Sequence, residues 1–266
     1  MSHSVSSESK LAAAFDAMAD DYDRQFTLST IGDLMRQAVW SKIRPALKPG
    51  SRFLELNCGT GEDALWLAQQ GVQVLATDLS SKMVDVARVK IAHAGLSHLV
   101  QLRQLGLLDL GEVSDTDFDG VLSNFGGLNC VERPEMVAAE LARQVRPGGS
   151  VFICMMGPVC LWEWLWFVLH GEPRKAFRRM RRGGVEWRGM KIYYPSIREV
   201  QGAFAPDFNL RCRSAIGALV PPPYTEAWSS RHPKLLTLLN SWERRLEECA
   251  PLPWIADHYL LEFERR

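Results

Sequence analysis

The chain has 266 residues, of which 47% are hydrophobic, and its 31 basic and 31 acidic side chains leave no net charge. This size allows a large core in one domain, and the balanced charge gives no overall attraction to nucleic acid. The first ten residues, MSHSVSSESK, lack the apolar core of a secretory signal, and the six cysteines show no disulfide or metal-site spacing. We therefore expect a cytoplasmic protein with reduced thiols and no bound metal.

The first 156 residues predict helices followed by a regular alternation of strands and helices. An apolar spacing of three and four residues predicts a helix over 8–26, whose apolar side chains are Leu11, Phe15, Met18 and Tyr22. A second helix is predicted at 31–44. The predicted strands are then 51–57, 72–77, 99–105, 118–123 and 150–156, separated by predicted helices at 61–70, 80–94 and 133–145. This alternation indicates a parallel sheet with helices on both faces.

After residue 156 the alternation becomes irregular. The remaining predicted elements are a helix at 196–205, a strand at 207–217, a helix at 232–249 and a last strand at 258–265. The chain lacks a recognisable domain linker. We therefore expect one α/β domain over 1–266, with a helical N-terminal segment at 1–45 and two late insertions at 157–195 and 220–256.

Residues 53–63, FLELNCGTGED, place two glycines and an asparagine directly after a strand-like run. Gly59 and Gly61 suit positive φ angles and a close approach of a ligand to the backbone, and Asn57 tolerates the left-handed conformation. The next helix begins near Glu62, with free N–H groups directed at the loop. Because ligands of open α/β sheets bind beyond the carboxyl ends of the strands, this stretch predicts a ligand-binding loop. A tight turn without a ligand is the alternative.

The residues around this loop discriminate between nucleotide-type ligands. A phosphate-binding P-loop requires Lys and Ser or Thr after its last glycine, whereas Gly61 precedes Glu62 and Asp63. The dinucleotide fingerprint requires a third glycine where Ala64 stands, and acidic residues repel a pyrophosphate. A loop with Glu55 before it and acids behind it suits a positively charged ligand, of which S-adenosylmethionine is one.

On these residues and four further motifs, the chain resembles the class I S-adenosylmethionine-dependent methyltransferases, in particular their small-molecule, type 11/25-like group. The further motifs are VLATDLS, FDGVLSNF, RPGGSV and the N-terminal FDAMADDYD, which resembles the family's lid helix. Motifs cover residues 10–156, and topology alone covers the rest. The resemblance implies a Rossmann-like, doubly wound sheet of seven strands with the last strand antiparallel, an N-terminal helical lid and late helical insertions.

The resemblance also implies S-adenosyl-L-methionine as the cofactor and assigns its binding residues. Asp78 would accept hydrogen bonds from both ribose hydroxyls, although capping of the next helix is an alternative. Gly106 stands where the family often has an acid for the adenine amine, which leaves adenine recognition to the backbone of the next two residues. The full set is Tyr22, Glu55, Asn57, Gly59, Gly61, Asp78, Leu79, Met83, Leu107, Leu108, Asn124 and Phe125. For Tyr22, ordinary helix packing is an equally open interpretation.

A catalytic base is required only when the methyl acceptor must lose a proton. In this fold the antiparallel last strand begins at the cofactor end of the sheet. That strand begins at Asp257-His258-Tyr259. His258, oriented by Asp257, is therefore the candidate base, and a polar strand start without a catalytic role is the alternative. His170 is a second candidate.

Residues 160–188 hold four of the nine tryptophans and seven basic residues. The segment follows the fifth strand, on the substrate side of the sheet. Four interpretations stay open: an apolar cap over the acceptor, an anchor in peripheral contact with a membrane, an RNA-contacting surface, and an ordinary lid with a solvated basic face. The zero net charge disfavours nucleic acid.

Two insertions that close over the site favour a small acceptor sealed from water. We expect methyl transfer to a small hydrophobic, aromatic or lipid-like molecule, with no nucleic acid partner. The alternatives are an RNA or protein methyltransferase and a catalytically silent cofactor-binding partner protein. Intact Glu55, Gly59, Gly61 and Asp78 argue against the silent protein.

Overall fold

The computed structural model describes the backbone of residues 2–266, and the side chains of that range except those of residues 2–7 and 25. Its strands are β1 (Arg52–Leu56), β2 (Gln73–Asp78), β3 (Val100–Gln104), β4 (Phe118–Ser123), β5 (Val145–Met156), β6 (Val185–Trp187), β7 (Met190–Ile192), β8 (Phe208–Ile216) and β9 (His258–Arg265). Seven of them form one sheet in the order β3-β2-β1-β4-β5-β9-β8, and β6 and β7 form a separate hairpin.

The direction of each strand fixes which ends of the sheet meet. Neighbouring strands from β3 to β5 pair in parallel, whereas β9 pairs antiparallel with both β5 and β8. The predicted seven-stranded sheet with an antiparallel last strand is confirmed. His258 pairs with Met156, so the start of β9 lies at the carboxyl ends of the parallel strands.

Twelve α-helices surround the sheet in the described part of the chain. They are α1 (Ser2–Asp16), α2 (Ala19–Tyr22), α3 (Thr30–Ile43), α4 (Glu62–Gln69), α5 (Ser81–His93), α6 (Pro134–Gln144), α7 (Leu161–Leu169), α8 (Pro173–Ala176), α9 (Ile197–Phe204), α10 (Glu226–Ser229), α11 (Pro233–Leu246) and α12 (Leu252–Ile255). Within residues 2–266, none of the helices is both long and apolar enough to cross a membrane.

The single helix expected over 8–26 is broken into α1, α2 and a π-helical turn at Asp23–Thr27. Near the break, Asp16 and Asp23 anchor the N-terminal helices to α5 and to the glycine loop. Asp16 accepts hydrogen bonds from the Ser80 hydroxyl (2.5 Å) and the Lys82 backbone N–H (3.2 Å). Asp23 accepts one from the Thr60 hydroxyl (2.5 Å) and pairs with Lys90 (2.8 Å). The N-terminal helices are therefore fixed over the carboxyl edge of β1 and β2.

Alternating side chains of the strands divide the core into two layers. Phe53 and the other strand residues whose side chains point to the same face pack with α3 and α4 on one face of the sheet. Leu54 and Leu56 point to the other face, where they join residues of α6 and α9. The alternation of β1 also directs Glu55 to the α3 and α4 face, where its side chain is only 2% exposed.

The two insertions differ in where they lie. The first insertion, 157–195, contains α7, α8 and the β6–β7 hairpin, and β7 packs against α1 and the 3₁₀ turn at Gly127–Cys130. The second insertion, 220–256, contains α10, α11 and α12. The insertions meet where Tyr224 contacts the ring of Trp166, 5.7 Å away between centroids.

Candidate functional site

The two loop glycines have different structural roles. Both adopt positive φ, 53° at Gly59 and 78° at Gly61. A Cβ at Gly59 would meet nothing within 4 Å, so this position leaves space open toward the site. A Cβ at Gly61 would lie 2.7 Å from the Cβ of Ala87, so Gly61 permits close packing of α4 on α5.

A cavity of about 360 Å³ lies beyond the carboxyl ends of the parallel strands. Its walls come from the glycine loop, the ends of β2, β3 and β4, helix α1 and the β6–β7 hairpin. Of the residues predicted to bind the cofactor, those that line it are Tyr22, Asn57, Gly59, Asp78, Leu79, Met83, Leu107, Leu108, Asn124 and Phe125. Glu55, Gly61 and His258 do not line it.

The Asp78 carboxylate is held rigidly at the end of β2. Its Oδ2 accepts a hydrogen bond from the Gly59 N–H (2.8 Å), and its Oδ1 accepts one from the Ser80 N–H (2.9 Å). Burial raises the pKa of Asp78 above its ordinary value, although these hydrogen bonds lower it. The hydroxyl of Ser80 accepts from the Met83 N–H and caps α5, so Asp78 keeps free lone pairs on the cavity side.

Beyond Asp78 the cavity becomes an apolar slot that ends at a carboxylate from α1. The slot is lined by Leu79, Met83, Leu105, Leu107 and Leu108. Oε1 of Glu8 lies 3.4 Å from the position that a Cβ of Gly106 would occupy, and Oδ2 of Asp109 lies 3.2 Å from it. Burial and the charge of Asp109 raise the pKa of Glu8. Gly106, where the sequence analysis expected no acidic side chain, thus has two carboxylates beside it, one from Glu8 of α1 and one from Asp109.

A buried polar cluster lies behind the glycine loop. Asp63 accepts hydrogen bonds from Arg36 Nη1 (2.6 Å), Trp40 Nε1 (2.6 Å) and Asn124 Nδ2 (3.0 Å). Glu55 lies near this cluster, and its Oε2 has no hydrogen-bond partner among the described residues. Burial, with Asp63 and Asp78 nearby, raises the pKa of Glu55 well above its ordinary value. Glu55 therefore lies within the wall and contributes no surface to the cavity.

The other end of the cavity begins where β4 stops. Asn57 donates from Nδ2 to the Asn124 carbonyl (2.9 Å) and accepts at Oδ1 from the Ser123 hydroxyl (2.6 Å). These bonds hold the glycine loop against the turn that carries Phe125. Further residues of this end are Gly126, Gly127, Cys130, Val131, Glu132, Arg133, Met136, Met190, Lys191 and Tyr193. The surface they present is mostly apolar, with a few charged groups.

His258 is buried next to this end and does not line the cavity. Its ring meets the ring of Phe125 edge to face, with centroids 5.7 Å apart. Its Nδ1 lies 3.1 Å from Oδ2 of Asp257, the residue expected to orient it. His170 is exposed and stacks on Trp166, outside the cavity. Access of His258 to a ligand would therefore require Phe125 to move.

Several cavity residues were missed by the sequence analysis, among them residues of α1, of the segment after β4 and of the β6–β7 hairpin. Glu8, Leu11 and Phe15 lie on one face of α1, and Glu8 could have been found by extending the apolar spacing of Leu11 and Phe15 by one turn. The residues of the β6–β7 hairpin carry no such signal, because two strands of three residues leave no readable period.

The arrangement suits a flat heterocycle with a donor group at its edge, followed by a diol. The slot and Glu8 fit the heterocycle, the free lone pairs of Asp78 fit the diol, and the open space at Gly59 allows a close approach. S-adenosylmethionine has these features in this order. Among the side chains that the structure describes, no group of His, Cys, Asp and Glu has the arrangement of a metal site.

Comparisons with known proteins show what the chain is similar to. A family model described as a methyltransferase domain matches residues 54–153. Demethylmenaquinone methyltransferase of Clavibacter sepedonicus is 35% identical over 147 residues, which are 54% of this chain and 57% of the relative. Phosphatidylethanolamine N-methyltransferase of Cereibacter sphaeroides is 32% identical over 142 residues, 52% of this chain and 67% of the relative. The chain thus spans little more than half the length of the first relative.

A solved structure extends the likeness over most of the chain. The S-adenosylmethionine dependent methyltransferase from Mesorhizobium loti matches 86% of this chain and 98% of its own, with a TM-score of 0.55 and 20% identity. At this identity the likeness concerns the fold alone. It includes the late part of the chain, which the family model leaves unmatched.

Proposed function

Because the chain belongs to the class I S-adenosylmethionine-dependent methyltransferases, we propose that it transfers a methyl group to a small hydrophobic, lipid-like acceptor. The observation that carries this proposal is the continuity of the cavity. One end has hydrogen-bond acceptors suited to adenosine, and the other end has apolar residues such as Val131, Met136 and Met190 beside three charged side chains. Both ends open into the same space next to Asn124 and Phe125.

The chain's own residues bind the cofactor and position it. When bound, S-adenosylmethionine supplies a methyl group on a sulfonium, which is already an activated leaving group. Asp78 accepts from the ribose hydroxyls, and the apolar slot packs against the adenine. Glu8 accepts from the adenine amino group, because it is the carboxylate that borders the slot.

The remaining task is to hold the acceptor in line and to exclude water. Helix α1 and the β6–β7 hairpin cover the cavity from the solvent side, contributing Leu11, Phe15, Met190 and Tyr193 to its lining. The second insertion contributes no lining residue among those the structure describes, so its support of the lid is indirect.

The names of two relatives and the cavity lining bear on the class of the acceptor. Two relatives are named for methylation of demethylmenaquinone and phosphatidylethanolamine, both of which are lipids. The apolar lining of the acceptor end supports the same class here. An RNA or protein acceptor is less compatible with a cavity that α1 and the hairpin cover.

Calorimetry with S-adenosylhomocysteine tests the cofactor site. Asp78→Asn should weaken binding by at least about tenfold, because a charged acceptor of two hydrogen bonds is lost. Asp85→Asn, on the exposed side of α5, is the matched control and should bind normally. An unchanged affinity of the Asp78 variant would contradict the assigned ribose contact.

Methyl transfer is then measured with methyl-labelled S-adenosylmethionine and a mixture of membrane lipids, transfer RNA and soluble protein. We expect the label in the organic-soluble fraction. Label confined to RNA or protein would contradict the lipid-like acceptor. Tight binding of the cofactor with no label in any fraction would support the catalytically silent alternative.

A further inference from the structure

Helix α7 is amphipathic, but its apolar side faces the solvent and its charged residue is buried. Its sequence, LWEWLWFVL, contains one charged residue, Glu163, which is only 1% exposed. The side chains of Leu161, Leu165, Val168 and Leu169 are 43%, 55%, 51% and 74% exposed. Their spacing of four, seven and eight residues places all four on one side of the helix, opposite Glu163. We call these four residues the outer face of α7.

A buried ionic network fixes this orientation. Oε1 of Glu163 accepts hydrogen bonds from Nη2 of Arg178 (2.8 Å) and Nη2 of Arg179 (2.7 Å). Arg179 also donates to the Asp257 carboxylate (2.6 Å) and its backbone carbonyl (2.8 Å), at the start of β9. Rotating the leucines inward would separate Glu163 from both arginines and leave Arg179 with Asp257 as its one anionic partner, so the apolar side faces outward in the folded protein.

Basic side chains follow α7 closely in the chain. Lys175 and Arg178 place their cationic groups 5.9 and 5.6 Å from the ring centroid of Phe167 on α7. Exposed Arg174, Arg181 and Arg182 follow in the same segment, and within the described part of the chain they form no ion pair. Lys175 and Arg178 pair with Glu172 and Glu163, so the segment that carries the outer face also carries three exposed arginines without an ion pair among the described residues.

We propose that the outer face of α7 docks this protein on an anionic lipid bilayer. Leucine and valine would enter the boundary between headgroups and acyl chains, while the neighbouring arginines meet lipid phosphates. A second copy of the chain fits less well, because it would bring the exposed arginines of the same segment close to those of the first copy. Single-stranded nucleic acid also fits less well, because stacking uses open aromatic rings, and the tryptophans of α7 are only partly exposed.

This inference rests on the proposed function in one respect, because docking would give the protein access to a lipid-like acceptor. The insertion that carries α7 also supplies Met190, Lys191 and Tyr193 to the cavity wall. A bilayer at the outer face would therefore bind the same segment that borders the acceptor end. Docking itself depends on surface chemistry and requires no turnover.

The test is flotation of the full chain with vesicles of phosphatidylcholine, with and without phosphatidylglycerol. Neither lipid is a proposed methyl acceptor, so binding is measured independently of the reaction. We expect binding to the phosphatidylglycerol vesicles and a strong decrease at high salt. The double variant Leu165→Ser/Leu169→Ser should bind on the order of tenfold more weakly. The double variant Arg174→Ser/Arg181→Ser should bind the vesicles about fivefold more weakly for each arginine removed.

Val89→Ser is the matched control, because Val89 on α5 is 55% exposed, the same fraction as Leu165. It should bind vesicles normally, and all variants should keep their thermal midpoint and their affinity for S-adenosylhomocysteine. Absence of binding at millimolar lipid, or unchanged binding of the leucine variant, would overturn the proposal. So would a dimer in ultracentrifugation that the leucine variant abolishes, or RNA binding that depends on the arginines alone. Methylation of a detergent-dispersed lipid in the absence of docking would leave the proposed function intact.

Discussion

The side chain of Asn57 occupies the space that a side chain at Gly127 would require. A Cβ at Gly127 would lie 2.0 Å from Cγ of Asn57, which itself has φ of 50°. This chain therefore combines Asn57 in the glycine loop with a glycine on the facing turn. Through the hydrogen bonds of Asn57, the pair holds the glycine loop against the end of β4.

Gly127→Ala should therefore destabilise the protein by roughly 1–3 kcal/mol, the usual cost of overpacking. Asn57→Gly should remove most of that cost in the double variant, since glycine accepts a positive φ and leaves the space free. Urea unfolding of the two single variants and the double variant gives the coupling energy. Strictly additive effects would show that the two positions do not share this space.

Recognition of adenine by Glu8 is tested with a ligand that reverses one hydrogen bond. S-adenosylhomocysteine presents an amino group, whereas S-inosylhomocysteine presents a carbonyl that repels a carboxylate. The wild-type chain should prefer the adenosyl ligand by about tenfold or more, and Glu8→Gln should reduce that preference, because an amide can also donate. Because Glu8 is remote from β4, its role can be tested without kinetics. The calorimetric affinities of the two ligands for the two proteins are sufficient. An equal preference in both proteins would exclude this contact.

The ionic network of α7 should make a large contribution to stability. Glu163→Gln keeps the side-chain shape but removes the charge that faces two arginines. We expect a loss of about 3 kcal/mol in the free energy of unfolding, because Arg179 remains buried with one anionic partner fewer. Glu172→Gln, which breaks the exposed pair with Lys175, is the control and should cost less than about 1 kcal/mol. Similar losses for the two variants would contradict a special role of the buried network.

The raised pKa of Glu55 has a consequence for the dependence of stability on pH. The folded protein retains a proton on this carboxyl at pH values where the unfolded chain, with a pKa of about 4.3, has lost it. Stability should therefore fall as pH rises from the unfolded pKa through the folded pKa. Glu55→Gln should make this decline shallower, measured by urea unfolding at several pH values without ligand. The surface variant Glu112→Gln should retain the wild-type slope.

The base function of His258 remains a prediction that kinetics can test. If His258 removes a proton from the acceptor, His258→Gln should lower kcat by about a hundredfold or more and remove the acidic limb of the pH–rate profile. If His258 only supports the ring of Phe125, the rate should fall less and the profile should keep its shape. Tyr259→Phe, the next residue of β9, loses a hydrogen bond to the Pro195 carbonyl and controls for a general disturbance of the strand.

The sheet could be predicted from sequence because local patterns determine it. The observed bounds of β1, β4 and β9 lie within one residue of the expected ones, since each is a short apolar run between turn residues. Asp78 at the end of β2 was predicted from the resemblance of VLATDLS to the family motif, and its distance along the chain from Glu55 suits one βαβ unit.

The long-range contacts could not be predicted in this way. Glu55 is an acidic residue at the expected position in the sequence. The pleat of β1 nevertheless directs its side chain into the wall and away from the cavity. The outward direction of the α7 leucines depends on Arg179 meeting Asp257, 78 residues away in sequence. Composition showed that the segment is rich in tryptophan and arginine, but only the partners of Glu163 determine which side is buried.

The orientation of α7 separates the residues that shape the fold from those that shape its surface. Glu163, Arg179 and Asp257 hold the helix in place, whereas the exposed Leu165 and Leu169 do not contribute to holding it. Substitutions on the outer side can therefore accumulate without unfolding the protein, provided that those three polar residues remain. Homologous chains can thus exchange one kind of solvent-facing surface for another while keeping the same scaffold.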